Sequence, residues 1–115
     1  MNTVTIGVES VGSVKARLKE AVRGKPQGAF ITFASVDLMW ETLNQRRWAI
    51  VRAMTGAGPM SIREVARRVD RDVKAVHGDV HILLTGGVLN KTQGGQIEFP
   101  YDAVHVDFLL EPEHA

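Results

Sequence analysis

Apolar residues recur along this chain with two periods. Spacing by two predicts strands, and spacing by three and four predicts helices. Thr3 to Val8 is a β-branched run punctuated by Gly7 and reads as a short strand. Ser10 or Ser13 can cap a helix running to about Arg23, with Val14, Leu18, Ala21 and Val22 on one face. Gly24, Pro26 and Gly28 end it. Ala29 to Ala34, with Phe30, Ile31 and Phe33, is a second strand-like run. Ser35 then caps a short helix holding Leu38, Met39, Trp40 and Leu43, and Asn44 caps another from Gln45 to about Thr55. In that helix Trp48, Val51 and Met54 form one stripe, with Arg46, Arg52 and Arg47 opposite. Trp40 and Trp48 are expected in the core rather than as platforms for stacking bases.

Gly56, Gly58 and Pro59 break the pattern, and Ser61-Ile62-Arg63-Glu64 restarts it as a capping box. The Ser61 hydroxyl can accept from the Glu64 amide while the Glu64 carboxylate reaches back to the Ser61 amide. Ile62, Val65, Ala66 and Val69 make the inner face of a two-turn helix. Asp70-Arg71 is a tight turn, and Asp72 caps a further helix with Val73, Val76, Val80, Leu83 and Leu84 facing inward. Gly86-Gly87 stops it. Val88 to Lys91 and Gln96 to Phe99 flank the turn Gln93-Gly94-Gly95, which predicts a hairpin. Val104, Val106 and Phe108 alternate with His105 and Asp107 as a last short strand. The fold class expected is α+β, a winged helix-turn-helix preceded by a small strand-helix-strand segment. Residues 1–43 form that segment, for dimerisation or partner binding. Residues 44–108 form the winged helix-turn-helix, and 109–115 an acidic tail.

The 115 residues suffice for one modest core. The chain has no cysteine, which excludes disulfides, thiolate metal sites and cysteine nucleophiles. No signal peptide and no membrane span are expected, so the chain is placed in the cytoplasm. The net charge of +1 hides an uneven distribution. Residues 44–75 carry eight cations (Arg46, Arg47, Arg52, Arg63, Arg67, Arg68, Arg71 and Lys74) against Glu64, Asp70 and Asp72, a local +5. Residues 96–115 carry five carboxylates and no Lys or Arg. A basic middle beside an acidic end suits a polyanion-facing surface with a separate partner or solvating end. Solvated helix faces would leave the same pattern.

Three helices, two tight breaks and a hairpin in that order place the third helix to enter a major groove of double-stranded DNA. Its exposed face would present Lys74, Ala75, His77, Gly78 and His81. Small Ala75 and Gly78 allow close approach, and Lys74 and His77 can donate to base acceptors or phosphates. The helix starts after Ser61 and Asp72 are natural phosphate seats, ringed by Arg63, Arg67, Arg68 and Arg71. Lys91 and Gln93 lie on the wing, where they could touch backbone or minor groove. Phosphate contacts would supply affinity and salt dependence, base contacts specificity. A three-helix core used only for protein contacts would show the same spacing.

Other chemistry is weakly signalled. His77 and His81 stand at i, i+4, a spacing that can hold zinc on a helix, but no Glu follows His77 and a third ligand such as His105 is distant in sequence. Asp72 and Asp79 could pose as a carboxylate pair, although Asp72 already has a capping role. The glycine pairs sit at a helix end and a hairpin turn rather than in a phosphate loop. No His–Asp arrangement lies near Ser61 to activate it. No catalytic constellation, cofactor or metal site is expected.

The runs Ser61 to Val69, Arg71 to Val80 and Phe99-Pro100-Tyr101-Asp102 resemble a family of MarR-like winged helix-turn-helix predicted transcriptional regulators of bacteria and archaea, labelled as DNA-binding proteins after a haloarchaeal member. The resemblance extends over most of the chain. It implies a repressor of its own operon, acting as the antitoxin of a toxin–antitoxin pair, with DNA and a protein toxin as partners. It places Lys74 and His77 at reading-helix positions, and Arg67, Arg68 and Arg71 in the basic approach. Gly78 stands where a larger, often basic residue is expected. Two-fold operators favour a homodimer. The acidic end, Glu111 and Glu113, would contact a basic toxin surface or stay mobile. The alternative is a protein-interaction module that neutralises a partner without binding DNA.

Overall fold

The computed structural model describes residues 2–8, 28–110 and 112. The helix expected between Ser10 and Arg23, and the tail carboxylates Glu111 and Glu113, lie outside the described residues. The fold is α+β. Its strands are β1 (Thr3–Val8), β2 (Ala29–Phe33), β3 (Asn90–Lys91), β4 (Ile97–Glu98) and β5 (Ala103–Asp107). Among the described residues there are four helices, α1 (Val36–Thr42), α2 (Gln45–Met54), α3 (Ile62–Val69) and α4 (Val73–Thr85).

Each described helix starts where a side-chain oxygen takes an orphan amide. Ser35 accepts from Leu38 N, Asn44 from Arg47 N, Ser61 from Glu64 N and Asp72 from Lys74 N, all at 3.0–3.1 Å. The second half of the capping box is not made. The Glu64 carboxylate instead accepts from Arg67 Nε at 2.7 Å and lies 3.6 Å from Arg68 Nε. A salt-bridging cation one turn along outcompetes a neutral amide for that carboxylate.

β1 is the middle strand of a three-stranded sheet, ordered β2-β1-β5, and both pairings are parallel. The alternation of Val104 and Val106 signalled β5 but not its partner. The strand returns to the start of the chain, with Thr3 against Ala103 and Gly7 against Asp107. Asn2 reinforces the closure, donating from its amide to Asp102 Oδ2 at 3.1 Å and from its side chain to the Pro100 carbonyl at 2.6 Å. Gly7 is needed here, because a Cβ would sit 2.6 Å from the Asp107 carbonyl oxygen.

Val4, Ile6, Ile31 and Phe33 share the sheet face that packs on the helices. From there one core runs through Met39, Leu43, Ile50, Val51 and Met54 to Val65, Val76, Val80 and Leu83. The hairpin β3–β4 is antiparallel, Asn90 opposite Glu98 and Lys91 opposite Ile97. Its strands are shorter than expected, because Val88 and Leu89 drop into the core instead. Met60 pairs with Ile97 by reciprocal backbone bonds of 2.9 and 2.8 Å, so the stretch before α3 adds to the hairpin. Ile97 and Phe99 anchor it from below, each 1% exposed.

Two apolar assignments are corrected. Trp40 is 54% exposed, resting edge-on against Phe108 at 6.0 Å. Helix α1 is only two turns long, and Met39 and Leu43 already fill its inner face, which turns Trp40 outward. Val73 is 38% exposed, because at the first position of α4 it borders the open groove between α3 and α4 instead of the core.

Candidate functional site

Helix α4 divides cleanly by face. Val76, Val80 and Leu83 are buried, while Lys74, Ala75, His77, Gly78, His81 and Ile82 are exposed. The five positions expected on the outer face are therefore all there. A Cβ placed on Gly78 would meet no atom within 4 Å, so no described residue requires glycine at that point.

The turn between α3 and α4 is set by Asp70, which ends α3 in the left-handed region at φ 54°. The Asp70 amide donates back to Arg67 O at 3.2 Å, and the Arg71 amide to Ala66 O at 3.0 Å. Asp tolerates this conformation better than most side chains. The turn opens α4 beside α3 and leaves a shallow groove of about 510 Å³ lined by Arg63, Ala66, Arg67, Asp70, Arg71, Asp72 and Val73. Arg63 and Arg67 thus stand beside the start of α4, and Ser61, Arg63 and Arg68 are all exposed. Lys91 and Gln93 are exposed on the hairpin, whose loop is closed by Thr92 N to Gln96 O at 2.9 Å and Gly95 N to Thr92 O at 3.1 Å.

The cations of this region are not equivalent. Arg67 is held to Glu64 on the surface, and this hydrogen bond lowers the Glu64 carboxyl from its usual range, helped by the charges of Arg67 and Arg68. Arg71 turns inward. Its Nη2 donates to Asp79 Oδ2 at 2.8 Å, and its Nη1 is buried without a partner. The other carboxylate oxygen, Asp79 Oδ1, accepts from Arg47 Nη1 at 3.0 Å. Arg47 also donates to the carbonyls of Thr42 and Glu41, each at 2.6 Å, which satisfies the C-terminal end of α1. Arg47 was expected on the outer side of α2 and is instead part of this clamp.

Sequence reasoning weighed Asp79 only as half of a carboxylate pair with Asp72 and missed its role as the partner of two arginines. Its side chain is 13% exposed and takes one guanidinium on each oxygen. Through it, the end of α1, the start of α2 and the α3–α4 turn are tied to one point on α4. The position one residue ahead of buried Val80 was the available signal, since a carboxylate bordering a core stripe needs a partner.

His77 and His81 are exposed on α4 and His105 on β5. Among the described residues no group of three or more His, Asp or Glu gathers as a metal site. No helix among them is long and apolar enough to cross a membrane.

Residues 42–106 match the family HVO_A0114, more than half of the chain. The chain belongs to the HVO_A0114 family. The matched stretch begins at the last residue of α1 and takes in α2, α3, α4, the hairpin and β5 as far as Val106. It therefore contains the whole clamp on Asp79 except the Glu41 carbonyl. No curated protein matches the chain.

Proposed function

We propose that residues 44–99 act as a winged helix-turn-helix and that the protein is a sequence-specific DNA-binding regulator that represses its own operon. The observation that carries this reading is the outer face of α4. It is exposed over three turns, bears Lys74, His77 and His81, and is kept low by Ala75 and Gly78. A helix of that width fits a major groove, and small residues let its backbone approach base edges. Arg63 and Arg67 beside the α4 start, with Arg68 on α3, supply cations for flanking phosphates. The hairpin β3–β4 takes the part of the wing, with Lys91 and Gln93 at its exposed end. In this reading Arg71 serves the scaffold, orienting α4 through Asp79. The likeness to MarR-like regulators extends the proposal to an antitoxin, with a protein toxin as second partner.

The pairing of Arg47 and Arg71 with Asp79, and of Arg67 with Glu64, engages three of the eight cations of residues 44–75 within the molecule. That observation favours a second reading, a protein-interaction module that neutralises a partner without DNA. Fluorescence anisotropy against the upstream DNA and a scrambled duplex, across a salt series, separates the two. A repressor binds the upstream duplex more tightly, weakens steeply with salt, and loses its preference in the Lys74→Ala/His77→Ala variant. Equal or absent binding at low salt sinks the DNA reading, and an unaffected double variant means that α4 is not the reading helix.

A further inference from the structure

Among the described residues β5 pairs only with β1, and no strand covers its outer edge. Natural edges are usually blunted by Lys, Pro or a bulge. Ala103-Val104-His105-Val106-Asp107 has no Lys, Pro or bulge, and its single carboxylate, Asp107, stands at the last position. Next to it lies an apolar groove of about 220 Å³, lined by Met39, Trp40, Leu43, Trp48 and Val106. Val106 is 40% exposed on that face, beside the exposed Trp40.

We propose that a second copy of this chain docks on this edge, its β5 antiparallel to the first about a two-fold axis through His105. The sequence of the strand is self-complementary in that register. All five residues pair, Val104 falls opposite Val106 of the other copy, and Ala103 falls opposite Asp107. The valine pairs lie on the same sheet face as the tryptophan groove, so docking covers Val106 and joins the two grooves into one apolar seam. On the other face His105 meets its own counterpart, and each imidazole lies diagonal to an Asp107 carboxylate across the axis. Diagonal neighbours in an antiparallel pair are about 7–8 Å apart at Cα, within reach of these side chains. The two carboxylates offset any charge on the paired imidazoles. Backbone bonds along the edge set the register, and burial of Val106, Trp40 and Trp48 supplies the driving force. The product is a continuous six-stranded sheet with an isologous interface. The proposal stands whether or not α4 reads DNA.

The absence of cysteine makes the test direct. Directly opposed residues have Cβ atoms about 4.5–5.5 Å apart, close to the separation a disulfide spans. The full-length His105→Cys variant, mildly oxidised without DNA, is expected to form a covalent dimer much faster than Lys91→Cys on the hairpin. Light scattering of the unmodified chain is expected to give twice the monomer mass, and Val106→Glu to give the monomer with an unchanged circular dichroism spectrum. A monomeric unmodified chain at tens of micromolar overturns the proposal. So does a dimer in which Cys at position 105 cross-links no faster than Cys at position 91. Neither outcome touches the DNA reading, which is measured separately by anisotropy.

Discussion

Gly78 is the residue at which stability and the proposed function part company. Glycine in a helix interior costs about 0.5–1 kcal/mol relative to alanine, and a methyl group at Gly78 meets open space. Gly78→Ala is therefore expected to raise the free energy of unfolding by about that amount in urea titration. If α4 approaches base edges closely, the same variant binds the upstream DNA less tightly. A gain in stability with unchanged binding would show that this turn of α4 stays clear of the DNA. Asp79 behaves in the opposite sense. Asp79→Asn leaves the Arg47 and Arg71 guanidinium groups without a counter-charge in a mostly buried setting, for a loss on the order of 3 kcal/mol. The measurement is again chemical unfolding, and a loss below about 0.5 kcal/mol would mean that both arginines find other partners. Glu64 adds a small pH dependence. Its carboxyl titrates below the ordinary 4.5, so its contribution is complete above that value and fades as pH falls through the lowered one. Glu64→Gln is expected to remove that part of the acid limb of the unfolding curve.

At the scale of elements, the caps were readable and the partners of charged side chains were not. Ser35, Asn44, Ser61 and Asp72 each cap the helix that their spacing indicated, because a cap depends on amides two or three residues away. Ser61→Ala should cost about 1 kcal/mol, and hydrogen exchange should show the opening confined to the first turn of α3. Global exchange instead would mean that α3 does not open apart from the rest. The return bond from Glu64 to Ser61 was equally local, yet Arg67 took the carboxylate. Two acceptable partners within one turn cannot be ranked from spacing alone. The exposed face of α4 was legible because its buried stripe at Val76, Val80 and Leu83 leaves the remaining positions no other side to occupy. Trp40 was misread because aromatic character signals burial only when the short helix has inner positions to spare.

At the scale of the whole molecule, the sheet joins both ends of the chain and makes β5 part of the same body as β1. Gly7 is the tightest point of that closure. Gly7→Val is expected to push β5 away from β1 and lower the melting temperature by several degrees, as core overpacking of about 1–3 kcal/mol would. Amides of β5 should lose protection before those of α2 to α4, and unchanged protection at Ala103–Asp107 would show that β5 accommodates the methyl groups. By itself the sequence determined β1, β2 and β5, the place of the hairpin, the four described helices, their caps and the outward set Lys74, Ala75, His77, Gly78 and His81. These follow from periodicity and from hydrogen bonds spanning fewer than five residues. Only the tertiary structure decided that β5 returns to β1, that Arg47 and Arg71 converge on Asp79, and that Trp40 faces outward beside an edge that no described strand covers. Each of those depends on which distant surfaces meet, and a periodic pattern says that a face must be covered without saying by what.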